Sequence, residues 1–295
     1  MFLKRARFWL VLCVIVSLLS LASSCRKDED DEDEAGTGNT STETAGTPYV
    51  SKGNEGSIKG LASLTGAAPA PKPIDMNADP ACASKNPNAV AEDVVVKDGK
   101  IEYVFVYIKD GQTSDGKKVS GLSFPVPSTP VTLNQDGCHY KPHVLGIQAN
   151  QKFDVVNSDP TAHNVNVQPK GNTAWNQSQP PNAPPIEKTF TRAETLIPIK
   201  CNQHPWMKAW VGVLKHPFYA VTKEDGSFEI AGVPPGKYTV VAWHEKYGEK
   251  TAEVTVGDKA AATADFTFAS TATASTQGGS LEILPALDIP MLAHH

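Results

Sequence analysis

The sequence lacks the motifs that identify several common classes of enzyme and nucleic-acid-binding protein. Its 295 residues contain no Gly-rich phosphate-binding loop and no nucleophile-elbow motif. The net charge is −5 and no cluster of basic residues occurs, which argues against binding to nucleic acid. No long amphipathic helical pattern is present either. Without helical patterns or catalytic motifs, the first expectation is a chain rich in β-strands with no recognisable catalytic residues.

The first 24 residues have the composition of a secretory signal peptide. Basic residues at the start precede an apolar run over 8–21 and small residues at 22–24. The apolar run is shorter than the about 20 residues that a membrane-spanning helix needs. We therefore expect residues 1–24 to be removed from a secreted chain.

The residues that lead to Cys25 resemble a bacterial lipobox. The match departs from the usual pattern at Ala22, where leucine is common. The resemblance implies that Cys25 is lipidated and that its acyl chains anchor the protein to a membrane; secretion without a lipid is the alternative. Because Arg26 follows rather than aspartate, we expect a cell-envelope lipoprotein of the outer membrane, facing the periplasm or the cell surface.

Residues 25–55 are expected to form an acidic tether. Positions 28–34 are all Asp or Glu, and Gly, Thr, Asn and Ser follow with few apolar residues. Such a composition buries too little apolar surface to offset the entropy of ordering. A solvated, extended linker that holds the folded part away from the membrane is the expectation.

From residue 56 onward the patterning predicts β-strands. Alternating or β-branched runs occur at 56–62 and 101–108, and Pro or Gly separates most of the later runs. The expected fold class is all-β, with a β segment at 56–99 and β-sandwich structure after it.

The run Cys201-Asn202-Gln203-His204-Pro205-Trp206-Met207 is the strongest chemical signal in the chain. Two His and one Cys, with a distant axial Met, are the ligands of a blue-copper electron-transfer site. A loop between two strands can deliver Cys201, His204 and Met207, and His163 can supply the fourth ligand from another strand. Met207 as a core residue, and Cys201 as an inert thiol, are the alternatives.

Cysteine is scarce, with five residues in the chain. Cys13 falls in the leader, and the assignments above use Cys25 and Cys201. Cys82 and Cys138 remain, and a disulfide between them is the simplest expectation in an oxidising compartment. Pairing of Cys201 with either of them is the alternative.

At these residues the chain resembles the cupredoxins, above all the amicyanin-like and plastocyanin-like proteins. The similarity rests on 152–165 (KFDVVNSDPTAHNV), on the ligand loop 201–207 and on 140–147, and covers about 100–215. It implies a Greek-key β-sandwich with one mononuclear copper ion and one-electron transfer. It also implies no small-molecule substrate and no enzymatic activity.

Residues next to the ligands have expected roles as well, and the exposed edge of His204 is implied by the resemblance. Asn164 is expected to bond the ligand loop through its amide, or else to be an ordinary turn residue, and Pro205 to support the site. His204, flanked by Pro205 and Trp206, is expected to expose its edge to redox protein partners of the cytochrome or dehydrogenase type. Trp206 and Trp210 are expected to be packing residues, with electron conduits as the alternative.

The stretch 216–268 resembles the second half of a carboxypeptidase-regulatory-like, or transthyretin-like, β-sandwich. The turn-and-strand pattern of 222–240 carries the similarity, and 56–61 looks like the opening strand of such a domain. The copper domain is therefore either inserted into this second, small sandwich or arranged in tandem with it. Residues 269–295 are expected to form a flexible tail.

Two other polar clusters are weaker candidates. Cys138, His139 and His143 could form a second metal site with Cys82 and Met76, but the expected disulfide uses both thiols. The pair His244-Glu245 does not continue as His-Glu-x-x-His, because residue 248 is glycine, and a packing or surface role is expected.

Three functions are consistent with the sequence: electron transfer at a mononuclear copper site, copper binding or delivery with the same ligands, and a metal-free structural or adhesion sandwich. A multicopper oxidase is disfavoured because the chain has no His-x-His pair of the kind that builds a trinuclear centre.

Overall fold

The computed structural model describes residues 46–270, and this part of the chain is almost entirely β-structure. The leader 1–24, the expected lipidation residue Cys25, the acidic run 28–34 and nearly all of the tail 269–295 lie outside the described residues. Among the described residues, no helix is long and apolar enough to cross a membrane.

The elements of residues 46–270 fall into three consecutive groups. The first group comprises β1 (Thr47–Pro48), β2 (Gly56–Thr65), α1 (Pro80–Lys85), β3 (Val96–Lys97), β4 (Lys100–Ile101), β5 (Phe105–Thr113), a 3-10 turn (Val119–Gly121) and β6 (Leu122–Ser123). The second comprises β7 (Val131–Gln135), β8 (Tyr140–Lys141), β9 (Val144–Gln148), β10 (Lys152–Asn157), β11 (His163–Val167), β12 (Trp175–Gln179), β13 (Ile186–Thr189), β14 (Glu194–Lys200) and β15 (Lys208–Leu214). The third comprises β16 (Tyr219–Val221), β17 (Ser227–Val233), β18 (Gly236–His244), β19 (Gly248–Val256), β20 (Ala261–Thr263) and β21 (Phe266–Ala269). The predicted all-β fold class is confirmed.

The second group forms a sandwich of its own, which we call the inserted sandwich (β7–β15). One sheet has the order β13-β10-β7-β8 and the other β12-β11-β14-β15-β9. Apolar side chains alternate inward along these strands, as in β10, where Phe153 and Val155 are fully buried. The facing side chains form a continuous apolar core between the two sheets.

The first and third groups together form the outer sandwich (β2–β5 and β16–β21). Strand β2 pairs with β17, and β5 lies between β16 and β18 in the second sheet. Strands on both sides of 131–214 therefore share one core, so the sandwich β7–β15 is inserted into the outer sandwich rather than placed in tandem with it.

Two expected boundaries differ from the structure. Strand β5 lies within the predicted copper domain 100–215 but pairs with outer-sandwich strands, because an alternating pattern does not reveal which sheet a strand joins. The predicted tether 25–55 also ends early, since β1 pairs with β6 and Tyr49 packs against the outer core. Short pairings of this kind have no strong sequence pattern.

Residues 73–91 form a cap on the inserted sandwich, although they lie inside the segment 56–99 that was expected to be β-structure. A bridge between Pro73 and Val90 closes the cap at its base. Its helix α1 begins after Asp79, whose carboxylate accepts hydrogen bonds from the backbone of the first turn. The Asp-Pro pair at 79–80 is typical of a helix start, and the prediction of β-structure for 56–99 did not take it into account.

Candidate metal centre

The loop between β14 and β15 carries three of the four predicted ligands. Cys201 follows β14 directly, and its backbone N–H donates to the carbonyl of Met207 across the base of the loop (3.2 Å). The N–H of Met207 donates to the carbonyl of His204 (2.9 Å), which closes a tight turn. Two short backbone bonds thus fix how Cys, His and Met project from one loop.

His163 reaches the same place from the neighbouring strand. It is the first residue of β11, which pairs antiparallel with β14 through Asn166 and Lys200. This pairing brings the start of β11 to Cys201, whose sulfur accepts from the backbone N–H of Asn164 (3.4 Å). The four predicted ligands are all buried in the inserted sandwich. The predicted delivery of three residues from a loop and one from a second strand agrees with these positions.

The ligand atoms of three residues converge. Nδ1 of His163 lies 2.9 Å from Nδ1 of His204, and Sγ of Cys201 lies 3.7 Å from the latter atom. One ring nitrogen of each histidine and the sulfur of Cys201 all lie within 4.8 Å of one another. Met207 is fully buried in the same loop. Its role as axial ligand stays a prediction.

The environment of Cys201 favours a thiolate. Backbone N–H groups of Asn164 and His204 both point to its sulfur at 3.4 Å. Burial by itself raises the pKa of the thiol, but hydrogen bonds from His163 and from these N–H groups lower it below its usual value. The sulfur is therefore prepared to act as a negatively charged metal ligand.

Asn164 holds the ligand loop, as predicted from its place beside His163. Its Oδ1 accepts from the backbone N–H of Asn202 (3.1 Å), and its Nδ2 donates to Oδ1 of Asn176 (2.5 Å). The side chain thus joins the loop to strand β12 on the far side of β11. Pro205 is exposed on the outer surface of the loop.

Each imidazole has a carboxylate on its outer nitrogen, and sequence reasoning missed both carboxylates. Nε2 of His163 lies 2.8 Å from Asp159, and Nε2 of His204 lies 3.1 Å from Asp79. Asp159 lies four residues before His163, a spacing that is visible in the sequence but common by chance. Asp79 lies 125 residues before His204, and no sequence signal connects them.

The cap covers the edge of His204, which was expected to be exposed. Only 5% of this residue is accessible, and Sγ of Cys82 lies 3.8 Å from its Nε2. The expectation of an open His204 edge is therefore wrong for this chain. The physical reason is the additional segment 73–91, which packs over the ligand loop.

Cys82 and Cys138 are bonded to each other, as expected. The bond joins α1 of the cap to the loop before β8, and Cys201 is the free cysteine of the described residues. Trp206 of the ligand loop contacts the same loop before β8, since its Nε1 donates to the carbonyl of Cys138 (3.0 Å). Its ring centroid lies 5.2 Å from that of His204, so Trp206 packs against this predicted ligand.

The weaker candidates do not form a second metal site in the described residues. The disulfide occupies both thiols, and Nε2 of His139 contacts the carbonyl of Val90 (3.3 Å). His143 bonds Glu245 of the outer sandwich, a pairing that the sequence did not suggest. His244 is buried, and burial lowers its pKa to about 4.

The donor set fits copper. Two imidazole nitrogens, one cysteine sulfur and one buried thioether match the preference of blue-copper sites. A zinc site uses four close ligands from Cys, His and carboxylates. Here the nearby carboxylates are engaged with the outer imidazole nitrogens rather than with the space between the two Nδ1 atoms.

Comparison with known proteins gives one family match and several similar structures. The model of the carboxypeptidase regulatory-like domain matches residues 205–269, which include β15 and the later strands of the outer sandwich. A search of curated proteins found no match.

Three solved structures are similar to part of the chain. A Cu-containing nitrite reductase from Thermus scotoductus is 22% identical with a TM-score of 0.28; the match covers 31% of this chain and 24% of the reductase, so this chain spans about a quarter of that protein. A mutant amicyanin in its oxidised state is 21% identical over 28% of this chain and 81% of its own, with a TM-score of 0.26. A purple cupredoxin from Nitrosopumilus maritimus is 19% identical over 28% and 98%, with a TM-score of 0.24. The described residues are almost entirely β-structure, and residues 205–269 are similar to a carboxypeptidase regulatory-like domain.

Proposed function

We propose that this protein is a cell-envelope lipoprotein that carries single electrons through one mononuclear type 1 copper ion. The observation that carries the proposal is the convergence of His163, Cys201 and His204 in a buried pocket, with two N–H groups directed at the sulfur. A copper ion held there would supply a one-electron couple. We further propose that the protein has no enzymatic activity and takes no small-molecule substrate.

The residues around the site support electron transfer in two ways. The loop is fixed by backbone bonds between Cys201, His204 and Met207 and by the amide of Asn164, so the ligands have little freedom to rearrange. Burial keeps water away from the sulfur and both imidazoles. A rigid, dry site changes little between oxidation states, which is what rapid electron exchange needs.

The cap favours electron transfer over copper delivery. A delivery protein must release its metal to a partner, and release is easiest when a ligand is at the surface. Here His204 is covered by Asp79 and the disulfide. A groove lined by Cys201, Asn202, Pro205 and Trp210 lies on the outer side of the same loop. We propose that redox protein partners, such as cytochromes or dehydrogenases, approach there.

The test is a visible and electron paramagnetic resonance spectrum of the purified protein with one equivalent of Cu(II). We expect an intense red-region thiolate-to-copper band and narrow copper hyperfine splitting. Cys201→Ser should lose the colour, while Met207→Leu should keep it with a shifted potential.

Other outcomes would overturn the proposal. A colourless protein that binds Cu(I) without a reversible couple would indicate delivery. No copper binding, together with a Cys201→Ser variant that is indistinguishable from the parent protein, would indicate a structural or adhesive sandwich.

A further inference from the structure

The two imidazoles of the proposed site are held from behind by carboxylates. Asp159 contacts Nε2 of His163 and Asp79 contacts Nε2 of His204. The Asp159 side chain is fully inaccessible, and about a fifth of the Asp79 side chain is accessible (20%). Because a carboxylate is an acceptor, each Nε2 carries a proton, and each Nδ1 is directed toward the other ring.

Asp159 is fixed independently of the histidine. Its two oxygens accept from the backbone N–H groups of Gly137 and Cys138, both at 2.8 Å, and Lys85 forms an ion pair with it at 2.8 Å. Both backbone N–H groups, the Lys85 ammonium and Nε2 of His163 all face the carboxylate as donors, so both of its oxygens are acceptors. Asp159 is therefore a fixed negative charge in position before any metal binds.

Asp79 is fixed in a comparable way from the cap. Its Oδ1 accepts from the N–H groups of Ala81 and Cys82 at the start of α1 (2.9 and 3.3 Å). Its Oδ2 accepts from the hydroxyl of Thr161 (2.8 Å) as well as from His204. The disulfide at Cys82 ties this arrangement to the inserted sandwich.

We infer that Asp79 and Asp159 are positioning residues of the proposed copper site. They hold both imidazoles with Nδ1 toward the metal, and their negative charges lower the reduction potential of the bound copper. The inference rests on the proposed function. A carboxylate behind a metal-bound imidazole fixes its tautomer and increases its basicity. Negative charge in a poorly solvated site stabilises Cu(II) more than Cu(I), because the oxidised ion carries one more positive charge. Two such residues act together here, one from each side of the ligand pair.

The first experiment compares reduction potentials of the copper-loaded Asp79→Asn and Asp159→Asn variants. Asparagine keeps an oxygen acceptor at each site and removes the charge, and it also caps a helix well. The matched control is Asp75→Asn, which removes an exposed charge from the same cap. We expect each site variant to lower the ratio of Cu(II) to Cu(I) affinity at least tenfold, which raises the potential by about 59 mV. Potentials equal to that of Asp75→Asn, with the blue colour retained, would overturn the inference.

A second readout needs no copper. Long-range proton–nitrogen NMR of the metal-free protein reports which nitrogen of each imidazole carries the proton. We expect Nε2 of His204 and His163 to be protonated in the parent protein, and Asp79→Ala to remove this preference at His204 without changing His163. Retention of a single Nε2-protonated form of His204 in that variant would contradict the positioning role. If the parent protein binds no copper, the proposed function fails, and this measurement still decides whether the carboxylates position the rings.

Discussion

The ring of Phe105 lies directly over the backbone of Gly212, so close that a Cβ added to that glycine would lie 2.3 Å from Cζ of the ring. Phe105 belongs to β5 of the outer sandwich and Gly212 to β15 of the inserted one. Gly146 on β9 leaves similar room for Tyr219. The two sandwiches are thus packed through aromatic rings that rest on glycines, beside the strand that follows the ligand loop.

Gly212→Ala should destabilise the protein by about 1–3 kcal/mol, because the added methyl overpacks a filled contact with Phe105. Urea denaturation of the purified protein measures the change. Gly121→Ala is the matched control, since a Cβ there meets nothing within 4 Å. Equal free energies of unfolding for the two variants would show that the contact between Phe105 and Gly212 accommodates a methyl group and is not tightly packed.

Removal of the disulfide should open the cap. The bond joins residues 56 apart in sequence, and by loop-closure entropy its loss from a Cys82→Ser/Cys138→Ser variant should cost up to about 4 kcal/mol. We expect a lower midpoint of urea denaturation, and faster loss of bound copper to a chelator because His204 becomes accessible. The control is the parent protein with the disulfide intact. A thiol assay after unfolding should detect Cys201 in it but neither Cys82 nor Cys138. Unchanged rates of copper loss would show that the cap does not limit access to the site.

Asn164→Ala should weaken copper binding roughly 10- to 100-fold, as is typical when a residue that holds a metal ligand in place is lost. The cause is release of Asn202 and the start of the ligand loop. Competition titration with a copper chelator measures the effect. Asn166→Ala is the comparison, because Asn166 also bonds Asn202 but through an exposed side-chain contact. Similar affinities for both variants would remove Asn164 from the support of the site.

Acid should destabilise the outer sandwich through His216. This residue packs against Phe124 and Phe218, and burial lowers its pKa to about 4. The unfolded chain takes up the proton near pH 6.5 and the folded one only near 4. The contribution to stability is therefore complete above about pH 6.5 and is lost as the pH falls toward 4, by about 3 kcal/mol in total.

His216→Gln tests this origin, because glutamine is neutral and retains an acceptor for the backbone N–H of Phe218. Urea denaturation between pH 4 and 7.5 should show a shallower loss of stability than in the parent protein. His244→Gln should behave similarly, since burial also lowers the pKa of His244 to about 4. A pH profile that neither variant alters would assign the acid sensitivity to other groups.

The ligand loop could be predicted because its signal is local. A segment of seven residues contains Cys201, His204 and Met207. Their sulfur and nitrogen donors limit which metal ions the segment can bind. The disulfide followed from the small number of cysteines. The all-β class followed from short β-branched runs between Pro and Gly. Each of these inferences uses residue types and spacings that are fixed along the chain.

The chain alone determined which residues carry ligand atoms, and the tertiary structure decided what surrounds them. The approach of Asp79 to His204 depends on how the cap folds over a loop more than 100 residues away. The membership of β5 in the outer sandwich depends on strand pairing across the inserted one. Periodicity shows that a strand has a buried face but not which strand lies beside it. Packing therefore decided that His204 is covered rather than exposed.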